Sequence, residues 1–216
     1  MASTIKVNML DTNSGSDITI AATKNIAGAN TQFKITGGSA NNFLKTDGSG
    51  ALSWGTPTAG KVLHIEQVVK TDTTSTTVLY SAVADITGMT VTMPASVATS
   101  RYLVFWSLSL GITANESFAL VLTRVVGGVE VTPLLGDAAG SRKRASSAQM
   151  TAHAEGIVMS AIQYLDSPAT TSAVTYKIKW GLNYAGTGYL NRHHSDVDSA
   201  TYGRTASSIT VMEIGV

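Results

Sequence analysis

The chain has 216 residues, of which 44% are hydrophobic and only 13% are charged, and its formal net charge is +1. A near-neutral chain has no long-range field that would attract nucleic acid, and the absence of cysteine excludes disulfides and thiolate metal sites. The N-terminus lacks the apolar run of a signal peptide, and the longest apolar run, YLVFW, is too short to span a bilayer. We therefore expect a protein that folds in a reducing cytosol without inserting into a membrane.

Residues 1–60 are rich in turn signals such as DTNSGSD, TGGSANN and DGSG, which separate brief apolar patches. None of these patches is long enough to form an independent core. The stretch Asn42–Trp54 (NFLKTDGSGALSW) predicts one β-hairpin, with its turn at Asp47-Gly48-Ser49-Gly50. The following GTPTAG has the composition of a linker, so we place a domain boundary after residue 60.

Residues 61–216 consist almost wholly of predicted strands, and we expect eight to ten of them in an all-β, jelly-roll-like β-sandwich. Gly127-Gly128 predicts a tight hairpin turn. Both faces of the last strand carry apolar residues, which is typical of a strand inside a sheet. Residues 140–156 are the one helix candidate, weakened by Gly, Ser and Thr. The predicted strands are VLHIEQVV, STTVLYSAV, MTVTM, RYLVFWSLSL, SFALVLTRVV, EGIVMSAIQYL, VTYKIKWGL, TGYL and SITVMEI.

Several of these segments resemble known proteins. The pieces YLDSPATTSA, GTGYLNR, DSATYGR and SSITVMEI in residues 157–214, with GGSANNFLKTDGSGALSW upstream, resemble tail fibre or virion fibre proteins of tailed bacteriophages, often marine or cyanobacterial phages. STIKVNML and SGSDITI are similar to fibre attachment ends. The resemblance implies a homotrimeric fibre whose N-terminal stem attaches to other virion proteins and whose β-sandwich head is trimeric. The pair His193-His194 departs from the small polar residues expected there.

Trimerisation would give the apolar residues of the stem a place to be buried, since a lone hairpin is marginal in water. Burial of each Leu or Phe side chain contributes roughly 1.5–3 kcal/mol of stability, and a trimer contains three copies of each side chain. We expect these residues to face one another across a threefold axis, and the stem to be unfolded in a monomer. They are Phe33, Ile35, Phe43, Leu44, Leu52 and Trp54.

The stretch NRHHSDVDSATY is the densest in chemically capable side chains. Four of them could ligate a metal, but adjacent histidines on a strand point to opposite faces, and we predict no metal or other cofactor. A polar surface loop, a contact with a ligand or a neighbouring subunit, and a metal site are the alternatives, in that order. The possible receptor contacts here and at nearby strand ends are Tyr184, Tyr189, Arg192, His193, His194, Asp196, Asp198 and Tyr202.

Other residue clusters have simpler explanations. Asp11–Asp17 resembles a calcium loop but lacks the downstream glutamate of that motif, so Asx turns explain it better. Arg142, Lys143 and Arg144 could contact anionic surface sugars or could simply form a solvated loop. Trp106 and Trp180 are expected in the core.

No motif predicts an enzyme, although a pair of catalytic carboxylates among the 14 acidic residues stays open. The favoured function is that of a homotrimeric tail fibre, made in the host cytoplasm and placed in the virion, that adheres to a host-surface glycan. The alternatives are a capsid fibre or decoration protein without a receptor role and, third, a fibre-borne glycan hydrolase.

Overall fold

The computed structural model describes residues 37–40, 42–49, 51–56, 60–112, 117–150 and 156–215. The chain divides into two units, Met1–Pro57 and Thr58–Val216, close to the boundary expected after residue 60. The division of function between a stem and a head stays a prediction. Phe33 and Ile35 of the expected stem, and the Asp11–Asp17 turn, lie outside the described residues.

The described part of the first unit contains the predicted hairpin. Strands β1 (Phe43–Thr46) and β2 (Leu52–Gly55) pair antiparallel, with Leu44 opposite Trp54. The Asp47 carboxylate accepts hydrogen bonds from the backbone N–H groups of Ser49 at 2.8 Å and Ala51 at 3.1 Å, which closes the turn. Phe43 is 48% exposed and Leu52 is 62% exposed, so the hairpin leaves much of its apolar surface uncovered.

The described part of the second unit contains eleven strands and one short 3-10 turn, Tyr80–Ala82. This is slightly more than the eight to ten strands expected, because β9 forms where the sequence offered a helix candidate instead of a strand. The strands are β3 (Val62–Lys70), β4 (Thr74–Thr76), β5 (Ala84–Met93), β6 (Arg101–Ile112), β7 (Ser117–Val126), β8 (Val129–Leu134), β9 (Ser147–Met150), β10 (Ile157–Asp166), β11 (Val174–Leu182), β12 (Gly188–Leu190) and β13 (Ser207–Ile214).

One local prediction is wrong, and the weak helix candidate is extended where the structure describes its end. The segment STTVLYSAV is a strand only over β4, after which the chain turns so that Val78 O accepts the N–H of Leu182 at 2.8 Å. Within residues 140–150, where a helix was a candidate, the chain forms β9 and pairs with β7. The Ser146 hydroxyl explains why this segment is extended and not helical. It accepts a hydrogen bond from Leu122 N–H at 2.8 Å and donates one to Leu134 O at 2.6 Å. These bonds hold the segment against β7 in an extended form.

The strands form two antiparallel sheets. In sheet I, β6 pairs along its length with β10 on one side, while β13 and β12 share its other side. Beyond them lie β3, paired with β13, and β4, paired with β12. Sheet II has the order β5-β11-β7, and β8 and β9 share the far side of β7. The predicted all-β sandwich is therefore confirmed.

The core lies between the two sheets and is built from alternate residues of the long strands. Every second residue of β6 from Tyr102 to Leu110 is buried, as are Tyr176, Ile178 and Trp180 of β11. The predictions that Trp106 and Trp180 belong to the core are confirmed. The last strand, β13, lies between β3 and β6 as its two apolar faces predicted.

A buried ion pair links the two sheets. Asp166, the last residue of β10 in sheet I, accepts from Arg124 Nη1 through both carboxylate oxygens at 2.7 Å, and from the Tyr176 hydroxyl at 2.7 Å. Arg124 and Tyr176 belong to strands of sheet II. Burial, together with the neighbouring Asp166 carboxylate, raises the pKa of the Tyr176 hydroxyl, which therefore stays a neutral donor.

Candidate functional site

The connection between β12 and β13 leaves sheet I and returns to it on the same side of β6. Strand β12 ends at Leu190, opposite Leu110 of β6, and β13 begins at Ser207 and continues beside the same β6 strand. Residues 191–206 therefore form an excursion with closely spaced ends, the geometry of an Ω-loop. We call these residues the 191–206 loop.

Asn191 anchors the base of this loop. Its backbone has a φ of 63°, a left-handed conformation that asparagine tolerates better than most residues. The side chain is fully buried, and its Nδ2 donates to the carbonyl oxygens of Lys70 at 2.8 Å and Asp72 at 2.9 Å. Its Oδ1 accepts from the Ser207 hydroxyl at 2.6 Å, so the residues at the two ends of the excursion are bonded to each other.

A glycine in β6 allows the loop to lie close to the sheet. A Cβ atom added at Gly111 would be only 2.1 Å from the carbonyl oxygen of Arg192, which is shorter than any real contact of that kind. Any larger residue would have to displace either the loop or the strand. The position of the loop is thus set by the sheet, as well as by its own bonds.

Arg192 organises the first half of the loop. Its guanidinium carbon lies 3.9 Å from the centre of the Tyr189 ring, in cation–π geometry. Its Nη1 donates to the carbonyl oxygens of His193 and His194, each at 3.2 Å, and lies 3.7 Å from Asp196 Oδ2. A cation held by a ring, two carbonyls and a carboxylate has little freedom left to lose on binding a ligand.

The second half of the loop adds an aromatic pair and a polar cleft. The rings of His193 and Tyr202 meet edge to face with centres 5.2 Å apart. Asp196 accepts a hydrogen bond from Arg204 in addition to its pairing with Arg192. Beside these groups lies a cleft of about 320 Å³, and its lining residues are Asp196, Val197, Asp198, Ser199, Tyr202 and Arg204.

The structure brings together most of the residues singled out from the sequence. Direct contacts link Tyr189 with Arg192 and His194, and His193 with Tyr202, while Asp196 bonds to Arg192. Asp198 lines the adjoining cleft. Tyr184 is exposed in the β11–β12 connection. Whether any of them contacts a receptor stays a prediction.

Sequence reasoning missed three residues that shape the loop: Asn191, Gly111 and Arg204. Asn191 carries a local signal, because an asparagine directly after a short strand is a common left-handed position. Gly111 and Arg204 carry no such local signal. The role of Gly111 depends on Arg192, which is distant in sequence, and the role of Arg204 depends on the path of the loop. The metal-capable residues do not converge: within the described ranges, no three His, Asp or Glu side chains are grouped as metal ligands would be.

The basic cluster at 142–144 lies in the β8–β9 connection, and two of its cations contact other residues of the head. Arg144 Nε donates to Gly136 O at 2.7 Å, and Lys143 Nζ lies 4.9 Å from the centre of the Tyr80 ring. All three basic residues are exposed. This pattern suits a loop that is held in place by its cations, and contact with anionic sugars stays an alternative.

No helix in the described part of the chain is long and apolar enough to cross a bilayer.

No protein-family model matches the chain, and no curated protein matches it either. Two solved structures from infectious bursal disease virus are similar in part. The structure of the Gx strain is 10% identical with a TM-score of 0.37, over 85% of this chain and 45% of that chain. The VP2 subviral particle is 11% identical with a TM-score of 0.33, over 77% of this chain and 44% of that chain. The chain spans less than half the length of these proteins, and at such TM-scores the likeness carries no functional argument.

Proposed function

We propose that this chain is a homotrimeric virion fibre protein, made in the host cytoplasm, whose sandwich head binds a host-surface glycan through the 191–206 loop. The observation that carries the proposal is the fixed cluster of Tyr189, Arg192, His193 and Tyr202 beside a polar cleft. Aromatic rings offer apolar faces to sugar rings, while carboxylates and guanidinium groups bond to hydroxyls. The resemblance of residues 36–54 and 157–214 to phage fibre proteins supports the same function.

The rigidity of the loop supports a binding role. Asn191 and Ser207 fix the base of the loop, and Arg192 fixes its first turn, before any ligand arrives. A site that is ordered in advance loses less conformational entropy on binding. Weak binding by one head suffices when several heads engage one surface, because each further contact forms at a high effective concentration.

The exposed apolar residues of the hairpin support an oligomeric fibre. Phe43, Leu44 and Leu52 are exposed in the single chain, although they belong to the only two strands described in the first unit. Matching residues of two other copies would cover them, and the same unit would then join the fibre to other virion proteins.

The proposal can be tested by measuring binding of the full chain to immobilised bacterial lipopolysaccharides and capsular polysaccharides. We expect at least one preparation to bind, and the double change Tyr202→Ala with Asp198→Ala to weaken that binding at least tenfold. Val129→Ala, an exposed change in sheet II, is the matched control and should bind as the wild type does. Absence of binding to every preparation, or equal binding by a folded double variant, would contradict the proposal.

A capsid fibre or decoration protein without a receptor role is the second candidate. The observation that favours it is that the charges of the loop largely satisfy one another, since Asp196 pairs with both Arg192 and Arg204. Gold labelling of the chain on intact virions separates the two: label at the tail supports the adhesive fibre, and label on the capsid supports the decoration protein. A glycan hydrolase is third, and it requires release of reducing sugars that Asp198→Asn abolishes.

A further inference from the structure

The side of sheet I that faces away from the core carries one wholly apolar row and no charged side chain at its centre. On this side the strand register aligns residues of β10, β6, β13 and β3 into rows that cross the sheet. One row is apolar throughout and consists of Leu165, Leu103, Met212 and Ile65. Leu165 is 46% exposed and Ile65 is 53% exposed. We call this side of the sheet the outer face.

The next two rows of the outer face are uncharged as well. The middle row is Gln163, Phe105, Thr210 and Gln67, and the third row is Ala161, Ser107, Ser208 and Val69. In the middle row Gln67 Nε2 donates to Thr210 Oγ1 at 2.7 Å, so part of its polar surface is already satisfied. Three adjacent rows of four residues on the outer face therefore contain no acidic or basic side chain.

The shape of this face complements itself. The small side chains of the third row form the floor of a depression of about 480 Å³, bordered by Phe105 and Gln163. The row of large apolar side chains lies two rows away on the same face. In a trimer, each copy can place its large row in the depression of the next copy, because every copy carries both features.

The lack of charge favours a second copy over a partner of another kind. Association of identical faces brings identical groups near one another, and any uncompensated charge at the centre would repel its own copy. Interfaces between copies of one chain are also the more apolar class of protein contact. The three rows of the outer face carry no charge, and one of them is wholly apolar.

The outer face supplies about half of the area of a standard contact as a flat footprint. The four strands lie side by side over residues 102–107 of β6. With strands about 4.8 Å apart and a rise of about 3.4 Å per residue, this overlap measures roughly 19 by 20 Å, or about 390 Å². A standard protein interface buries about 800 Å² on each partner, and side-chain relief raises the accessible area above the flat footprint.

We infer that copies of this chain associate through the outer face of sheet I. The inference rests on the oligomeric part of the proposed function and names its surface. It does not depend on glycan binding, because the 191–206 loop is a separate feature. If the chain is an oligomer but this face is free, the inference fails while the proposed oligomeric fibre stands.

The first test is the mass of the full chain in sedimentation velocity. We expect the wild type to sediment as an oligomer. The double variant Ile65→Glu with Leu165→Glu should dissociate towards the chain mass of 22.5 kDa at concentrations at which the wild type stays associated, although the hairpins are unchanged. Both positions are exposed in the single chain, so glutamate should not prevent folding, which circular dichroism checks. Val129→Glu, at a 66% exposed position of sheet II, should keep the wild-type mass. A folded double variant that keeps the wild-type mass, or a monomeric wild type, would overturn the inference.

A labelling experiment gives a second measure that does not depend on complete dissociation. The chain has no cysteine, so a single cysteine placed at Leu165 or at Val129 reports only its own site. We expect a maleimide to react at least tenfold more slowly with Leu165→Cys than with Val129→Cys. Equal rates in an oligomer would show an open outer face, and slow labelling of a monomer would show that another part of the same chain covers it. Either result would refute association through this face.

Discussion

The hairpin and the sandwich use the same kinds of side chain but differ in what covers them. In the sandwich, two sheets face each other and bury Trp106 and Trp180 almost completely. In the described part of the first unit the hairpin is a sheet of two strands, and a Cβ atom added at Gly38 would lie 2.6 Å from the Trp54 ring. A two-stranded sheet is marginal alone, whereas stacked sheets bury a continuous core. The comparison teaches that the sandwich supplies its own core, while the described hairpin residues leave apolar surface that the proposed oligomer would cover.

The largest expected effect comes from a matched pair of tryptophan substitutions. Trp106→Ala removes a buried ring from β6 together with its hydrogen bond to the Ser160 hydroxyl, and should cost about 3–5 kcal/mol of unfolding free energy. Trp54→Ala should change the unfolding of the sandwich by less than about 0.5 kcal/mol, as is usual for substitutions outside a core. Urea denaturation followed by far-ultraviolet circular dichroism measures both. A comparable loss for the two variants would break the distinction between the units.

The ion pair between the sheets gives the next largest effect. Asp166→Ala would leave the Arg124 guanidinium and the buried Tyr176 hydroxyl without their acceptor, and should cost about 3 kcal/mol. Val131→Ala, a change at the exposed register partner of Arg124 in sheet II, is the matched control. Thermal denaturation in dilute buffer measures the difference. A stable Asp166→Ala variant would mean that apolar packing alone holds the two sheets together.

Much of the sandwich was predictable from the sequence because its long strands alternate or are uniformly apolar. The runs of β6, β7, β10, β11 and β13 carry that signal in consecutive residues, so strand type and approximate bounds followed from pattern. The hairpin also followed, since Asp47 and Gly48 signal a turn locally. The errors fell where neighbours distant in sequence decide the conformation: the segment after β4 is held by Leu182, and β9 is held by β7.

The candidate site was predictable in content but not in arrangement. Two histidines, two aspartates and one tyrosine within a dozen residues mark a polar loop by composition alone. What makes it one structure is the register of β12 and β13 on β6, which brings Asn191 to Ser207 and Gly111 beneath Arg192. The apolar row of the outer face is likewise invisible along the chain, because its four residues come from four strands.

Gly111→Ala tests whether the sheet positions the 191–206 loop, with a smaller expected effect. The added Cβ would contact the Arg192 carbonyl, so we expect a loss of about 1–3 kcal/mol and a displaced loop. Gly203→Ala, where nothing lies within 4 Å of the added Cβ, is the control and should be nearly neutral. Unfolding free energies, with amide exchange in residues 191–206, measure stability and loop order. If both variants resemble the wild type, the loop is held only by its own bonds, as the hairpin turn is.

The smallest effect concerns the hairpin turn, which should form without any partner surface because its bonds are local. Hydrogen bonds from Ser49, through its side chain first and its backbone second, lower the pKa of the Asp47 carboxyl. Since the folded pKa is depressed, the turn is favoured above the ordinary aspartate pKa and loses this support as the pH falls through the folded value. Ser49→Ala should raise the Asp47 pKa part of the way back, while Thr46→Ala, whose hydroxyl accepts from Gly48 instead, should not. Carboxyl carbon shifts followed through a pH titration measure this. An ordinary Asp47 pKa in the wild type would mean that the bonds from Ser49 and Ala51 do not form in solution, and would widen the difference between the two units.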